Sequence, residues 1–279
     1  WFRQDRYELC MYDFSQDKFA GSGVGEVNVI IRSLHKPGVW VNLSQAPHVM
    51  RLTQRDMKVQ IEEDIHIGGV TGLVEDKDGN LWIAGWTDMH VKRPDEDALI
   101  ASGGDVPVMQ FLISDVKGEV LGVSNENKIY QLNCAGGRIS CELKGTVSAL
   151  LEGEGVNSVC MDRKGRLWFN TTLGRVLRSD ETMNVFENVP LDDEIDDCTI
   201  LGLLSDKNSV WIITNKKVLQ YNIDSQAYQN YSTADENIMV DVFRYKAISL
   251  DGWGGLYVGG HRGFIHIRPE GVGPANKVR

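Results

Sequence analysis

The sequence predicts an all-β protein, a seven-bladed β-propeller of four-stranded antiparallel blades, from three observations. One hairpin motif recurs along the chain, its copies are almost evenly spaced, and strand and turn residues fill the intervals. The clearest copy spans residues 70–85. Apolar or small residues alternate at Val70, Gly72 and Val74, Asp76-Lys77-Asp78-Gly79 supplies a turn, and Leu81-Trp82-Ile83 resumes a β-rich run. A lone hairpin is at best marginally stable in water, so a recurring one is expected to stack on its own copies.

With Trp82 as the marker, the second strands of the units fall at Trp1, Trp40, Trp82, Leu121, Trp168, Trp211 and Tyr257, which are 39, 42, 39, 47, 43 and 46 residues apart. Residues 156–169 match the Trp82 unit through the turn, and residues 201–212 match with one turn residue deleted. Residues 247–258 keep Asp251 and Gly252 but put Tyr257 at the marker. Residues 111–122 keep the turn with Leu121 there, and residues 36–41 have lost the acidic turn residue. A third strand follows at 128–132, 175–178, 217–221 and 264–267, and a more polar fourth at, for example, 226–231. Stronger alternation on the first two strands predicts that the first lies inside and the fourth at the rim.

The ends do not hold whole units. Residues 1 to about 20 lack a first strand, and the last unit runs out after Ile267 into a Pro/Gly-rich stretch. One blade is therefore expected to draw strands from both termini, with a six-bladed ring carrying surplus N-terminal strands as the alternative. The domain reading is one propeller over 1–268 and a linker over 269–279 leading toward a following domain.

At 279 residues and 42% hydrophobic content the chain can bury a sizeable core. It has no run of eighteen apolar residues and no signal sequence at its start, and because it begins in mid-repeat it is expected to be a piece of a longer protein. A net charge of -10 argues against nucleic acid and anionic membrane as partners, since both are bound through a basic face. Five cysteines make no disulfide scaffold. A turn at Gly137-Arg138 would set Cys134 opposite Cys141 and leaves a bridge between them open, whereas Cys160 reads as a small buried hydrophobe.

The unit Asp-x-x-Gly-x-Leu-Trp-Ile, best at Asp76 to Gly85 and Asp162 to Thr171, resembles the two-component regulator propeller repeat, and the likeness runs with erosion over nearly the whole chain. The resemblance implies a non-catalytic sensor propeller from the periplasmic part of a membrane-bound hybrid histidine kinase and response regulator that controls polysaccharide utilisation. It further implies an oligosaccharide or a companion propeller of the same chain as partner, a homodimeric full-length receptor, and attachment to the membrane through other segments. A metal-dependent, sugar-lactonase-like enzyme and a protein-interaction scaffold are the alternatives.

Linear catalytic motifs are missing. There is no His-Glu-x-x-His, Gly-x-Ser-x-Gly or phosphate-binding glycine loop, and the six histidines show no metal-ligand spacing, so no metal or cofactor is expected. Recognition is expected on one mouth, where the loops between second and third strands emerge. The stretch Gly85 to Arg93 reads as a longer loop than its counterparts, with Trp86 as an apolar face and Asp88, His90 and Arg93 as hydrogen-bonding groups. His261 and Arg262 fall in the equivalent loop of the last unit. These six residues are the expected ligand or partner surface, set against packing of Trp86 on the next blade. Trp253, in a glycine-rich turn, is expected on the opposite mouth.

Overall fold

The hairpin turn explains why its tryptophan recurs. The Asp76 carboxylate accepts the backbone N–H groups of Asp78 and Asn80, both at 2.9 Å, the Asn80 side-chain amide at 2.8 Å and the indole N–H of Trp82 at 2.7 Å. One acid thus closes the turn and satisfies the polar edge of a large side chain that is otherwise buried. Asp162 does the same for Lys164, Arg166 and Trp168, and Asp206 for Asn208, Ser209 and Trp211. Asp115 holds the amides of Lys117 and Glu119, but Leu121 offers it no N–H. The first hairpin has no acid at this place. Its Trp40 donates at 2.5 Å to Glu75 of the next hairpin, which also accepts the Ser33 hydroxyl at 2.9 Å and the Leu34 amide at 2.5 Å.

The computed structural model describes residues 1–3, 8–13, 16, 18–147, 151, 153–191, 198–232, 243–250, 255–260 and 263–268. Among them lie 25 strands in six sheets, each paired in chain order as an antiparallel meander. The first sheet contains β1 (Phe2–Arg3), β2 (Glu8–Asp13), β3 (Lys18–Arg32), β4 (Val39–Leu43), β5 (His48–Arg55) and β6 (Lys58–His66). The second contains β7 (Val70–Glu75), β8 (Leu81–Gly85), β9 (Met89–Lys92) and β10 (Leu99–Ala101). The third contains β11 (Met109–Ser114), β12 (Val120–Ser124), β13 (Lys128–Ala135) and β14 (Arg138–Thr146). The fourth holds β15 (Val156–Met161), β16 (Leu167–Thr171), β17 (Val176–Ser179) and β18 (Phe186–Asn188). The fifth holds β19 (Ile200–Ser205), β20 (Ser209–Thr214), β21 (Lys217–Asn222) and β22 (Tyr228–Ser232). The sixth holds β23 (Phe243–Leu250), β24 (Leu256–Gly260) and β25 (Gly263–Ile267).

These sheets are the blades of a β-propeller, and they number six rather than the seven expected from the markers. The reason lies in β3. Its first part pairs with β2, its last part from Val27 to Arg32 pairs with β4, and so the strands after Trp1 are carried into the first sheet instead of forming their own.

The chain divides into two compact units, 1–143 and 144–279. In each, strands of successive sheets pack side by side, β3 with β7 and β7 with β11 in one, β15 with β19 and β19 with β23 in the other. Second strands β8, β12, β16 and β20 are buried along their whole length, which suits their near-continuous apolar sequences. Trp40, Trp82, Trp168 and Trp211 each join a core with the sheet that follows. Trp40 clusters with Leu81 and Ile83, and Trp82 with Val120 and Leu132. In the second unit Trp168 clusters with Ile212 and Leu219, and Trp211 with Leu256 and Val258. A blade that completes the burial of its marker against its neighbour explains why the hairpin must repeat.

Cys134 and Cys141 are free thiols, as are Cys160 and Cys198. The β13–β14 turn is formed by Gly136 and Gly137, both with positive φ, one position earlier than expected, so the two cysteines are not facing partners. Burial pushes the Cys160 thiol far above its ordinary range, in keeping with an inert core residue.

Candidate functional site

Trp86 follows β8 directly and is 74% exposed, a large apolar side chain left in solvent. Its backbone is fixed by the turn. The Trp86 amide donates to the Gly69 carbonyl at 3.0 Å and the Gly85 amide to the Asp88 carbonyl at 2.8 Å. Gly69, at φ +69°, lies under the ring, where an added Cβ would sit 3.6 Å from the indole. Gly85 is as tightly constrained, because a Cβ there would lie 3.0 Å from both the carbonyl and a carboxylate oxygen of Asp88. The indole is thus held over a glycine with its other face open.

The connection is a three-residue turn, Trp86-Thr87-Asp88, and not the long loop expected from sequence, because Met89 to Lys92 form β9 and pair with β8. This divides the expected surface. Asp88 is half exposed beside Trp86. His90 lies within β9 opposite Ile83, its side chain 17% exposed and its Nδ1 buried without a hydrogen-bond partner, 3.9 Å from Asp88 Oδ1. Arg93 comes after Lys92, which pairs with Leu81 at the other end of the sheet, so it sits beside the hairpin turn and pairs with Glu96 at 2.9 Å. His261, Arg262 and Trp253 lie outside the described residues.

Two features escaped the sequence. The first is a bulge near the start of each of β7, β11, β15 and β19, and in β3 where its pairing with β4 begins; in β7 it lies next to the Trp86 end. In the first unit it re-aims the polar residues Asn28, Thr71 and Gln110. The Asn28 amide donates to the Val70 carbonyl at 3.4 Å, and the Thr71 hydroxyl to the Ala84 carbonyl at 3.3 Å. The second is a charged cavity at the hairpin-turn end, lined by His35, Lys36, Glu63, Glu75, Lys92 and Arg93 among others. Its residues come from segments 35 to 94, which no linear spacing links. Among the described residues no group of three or more His, Cys, Asp or Glu is arranged to hold a metal ion.

Comparison with known proteins defines the class first. The chain shares the β-propeller fold of a streptogramin B lyase, at TM-score 0.68 and 14% identity over 94% of this chain and 87% of that one. It is also similar to the extracellular domain of a hybrid two-component system from B. thetaiotaomicron, at TM-score 0.66 and 14% identity, over 94% of this chain and 37% of the other. The extracellular domain of a one-component system from the same organism matches at TM-score 0.54 and 16% identity, over 95% of this chain and 43% of that chain. At the level of sequence, residues 66–87 match the family described as two component regulator propeller, so the Trp82 hairpin is a repeat of that kind. No curated protein sequence matches the chain.

Proposed function

We propose that this chain is the non-catalytic periplasmic sensor propeller of a membrane-bound hybrid two-component histidine kinase and response regulator controlling polysaccharide utilisation. The matched repeat and the likeness to extracellular domains of two-component and one-component systems support a sensor on the outer side of a membrane. In this reading residues 1–268 act as one propeller and 269–279 lead toward the next domain of a homodimeric receptor.

The observation that carries recognition is Trp86, an indole seated on Gly69 and open to solvent beside Asp88. A flat apolar ring with a half-exposed carboxylate beside it suits the apolar face and hydroxyl rim of a saccharide, and equally a companion propeller of the same chain. A ligand there biases the receptor through its different affinity for two states, and a tenfold difference corresponds to about 1.4 kcal/mol. Removing the stacked ring is expected to cost about 1–3 kcal/mol of binding, by analogy with aromatic stacking on bases.

The test is Trp86→Ala in the intact receptor, with oligosaccharide response and unfolding midpoint both measured. A weakened response at unchanged stability supports the assignment. An unaltered response, or a domain that unfolds, refutes it. The lyase likeness favours a second reading, a propeller enzyme. Turnover of streptogramin B by the purified chain, with and without divalent metal, decides for or against it.

A further inference from the structure

The β5–β6 hairpin sets two of the six histidines, His48 and His66, directly opposite each other. Just beyond them the Ile67 amide donates to the Pro47 carbonyl at 2.8 Å. A bond in that place flanks a non-hydrogen-bonded pair, the kind whose facing side chains lie closer together. The two imidazole centroids are 5.2 Å apart, with their planes at 85°.

Asp64 shares this face of the hairpin, because it pairs with Met50 two residues along each strand. Its Oδ1 lies 2.8 Å from His48 Nδ1. An ionised carboxylate only accepts, so Nδ1 carries the proton and the lone pair of a neutral His48 stands on Nε2. Among the described residues no hydrogen-bond partner meets His48 Nε2 or either nitrogen of His66. The His48 side chain is 31% exposed and His66 is exposed, so both are within reach of a solute.

This is the arrangement of a metal-binding pair. A carboxylate on the far nitrogen of an imidazole fixes the ring and makes the other nitrogen a better ligand. Two imidazoles that share a tetrahedral ion through nitrogens about 2.0–2.1 Å from it hold their ring centroids roughly 5 Å apart. The hairpin backbone supplies that separation before any ion arrives, and the exposed His66 can turn about its side-chain bonds to aim a nitrogen inward. Asp64 is turned to Nδ1, so the protein gives two ligands, and water completes the coordination.

We propose that His48 and His66 form a two-imidazole site for a divalent transition ion, Zn²⁺, Ni²⁺ or Cu²⁺, with Asp64 as a positioning residue. Imidazole suits these ions, whereas Mg²⁺ and Ca²⁺ take oxygen ligands. A bound ion would staple β5 to β6 at the end away from the Asp56-Met57 turn. The site does not depend on the sensor reading.

The experiment is isothermal titration calorimetry of the chain, free of any histidine tag, with Ni²⁺ and Zn²⁺ and with Mg²⁺ as control. One saturable site for the transition ions, absent with Mg²⁺, is expected. His66→Gln, at an exposed position, is expected to weaken it at least tenfold. Asp64→Asn keeps both ligands and is expected to weaken binding about tenfold or more, with the metal-free unfolding midpoint unchanged. Binding that never saturates, an equal response to Mg²⁺, or undiminished affinity in His66→Gln overturns the site. An Asp64→Asn variant that binds as tightly as the parent chain overturns the role given to Asp64.

Discussion

Asp162 has no exposed surface, and its carboxylate meets the Trp168 indole, two turn amides and the Arg166 guanidinium. Replacing it by alanine strands a buried indole N–H and removes the partner of a largely buried cation. Asp162→Ala is expected to cost about 3 kcal/mol or more, read from urea unfolding midpoints. Asp115→Ala is expected to cost nearer 1 kcal/mol in the same assay, since Asp115 closes its turn without an indole. This part of the structure was legible in the chain, because Asp and Trp stand six residues apart and the bond joining them is local. Trp40 was legible as a marker but its partner was not. Glu75 lies 35 residues away, and nothing in the first hairpin announces it. Trp86, which the sequence singled out, is exposed, while the grouping with Arg93 failed because four residues taken for loop form β9.

Among the elements, the β3–β4 hairpin is the most tightly specified. Gly38 has φ +112°, and a Cβ there would come within 2.1 Å of the Leu52 carbonyl oxygen on β5. Gly38→Ala is expected to destabilise the protein by about 3 kcal/mol in chemical denaturation, as backbone strain and a backbone clash add. The outer hairpin β5–β6 is tied to this turn through Glu63. Burial pushes the Glu63 carboxyl up, but the hydrogen bonds from Arg51 and Lys36 outweigh it and hold the group below its ordinary value. A carboxylate depressed in the folded state stabilises at pH above its unfolded value, and that stabilisation is lost as pH falls through the folded one. Unfolding midpoints should therefore fall on acidification below the usual glutamate range, and the Glu63→Gln variant should show a smaller fall. The blade count was misread at this scale. Periodicity finds second strands well, yet it cannot show that a single strand, β3, hydrogen-bonds on with β2 and β4 and merges two half-sheets.

At the scale of the molecule, the described elements are strands, and far-UV circular dichroism should show a β-dominated spectrum; helix near one third would contradict the fold. The net charge of -10 leads to a second expectation, that the chain is not retained on duplex DNA at physiological salt, measured by mobility shift. The indole of Trp40 carries a further consequence. Units built around Trp82, Trp168 and Trp211 bring their own acid and are portable cassettes, whereas the unit of Trp40 borrows Glu75 from its successor. In a tandem array built by gene duplication or by an engineer, the cassettes can be copied or reordered. The Trp40 unit can be moved only with the one behind it, which makes that pair the smallest heritable piece at this end of the chain.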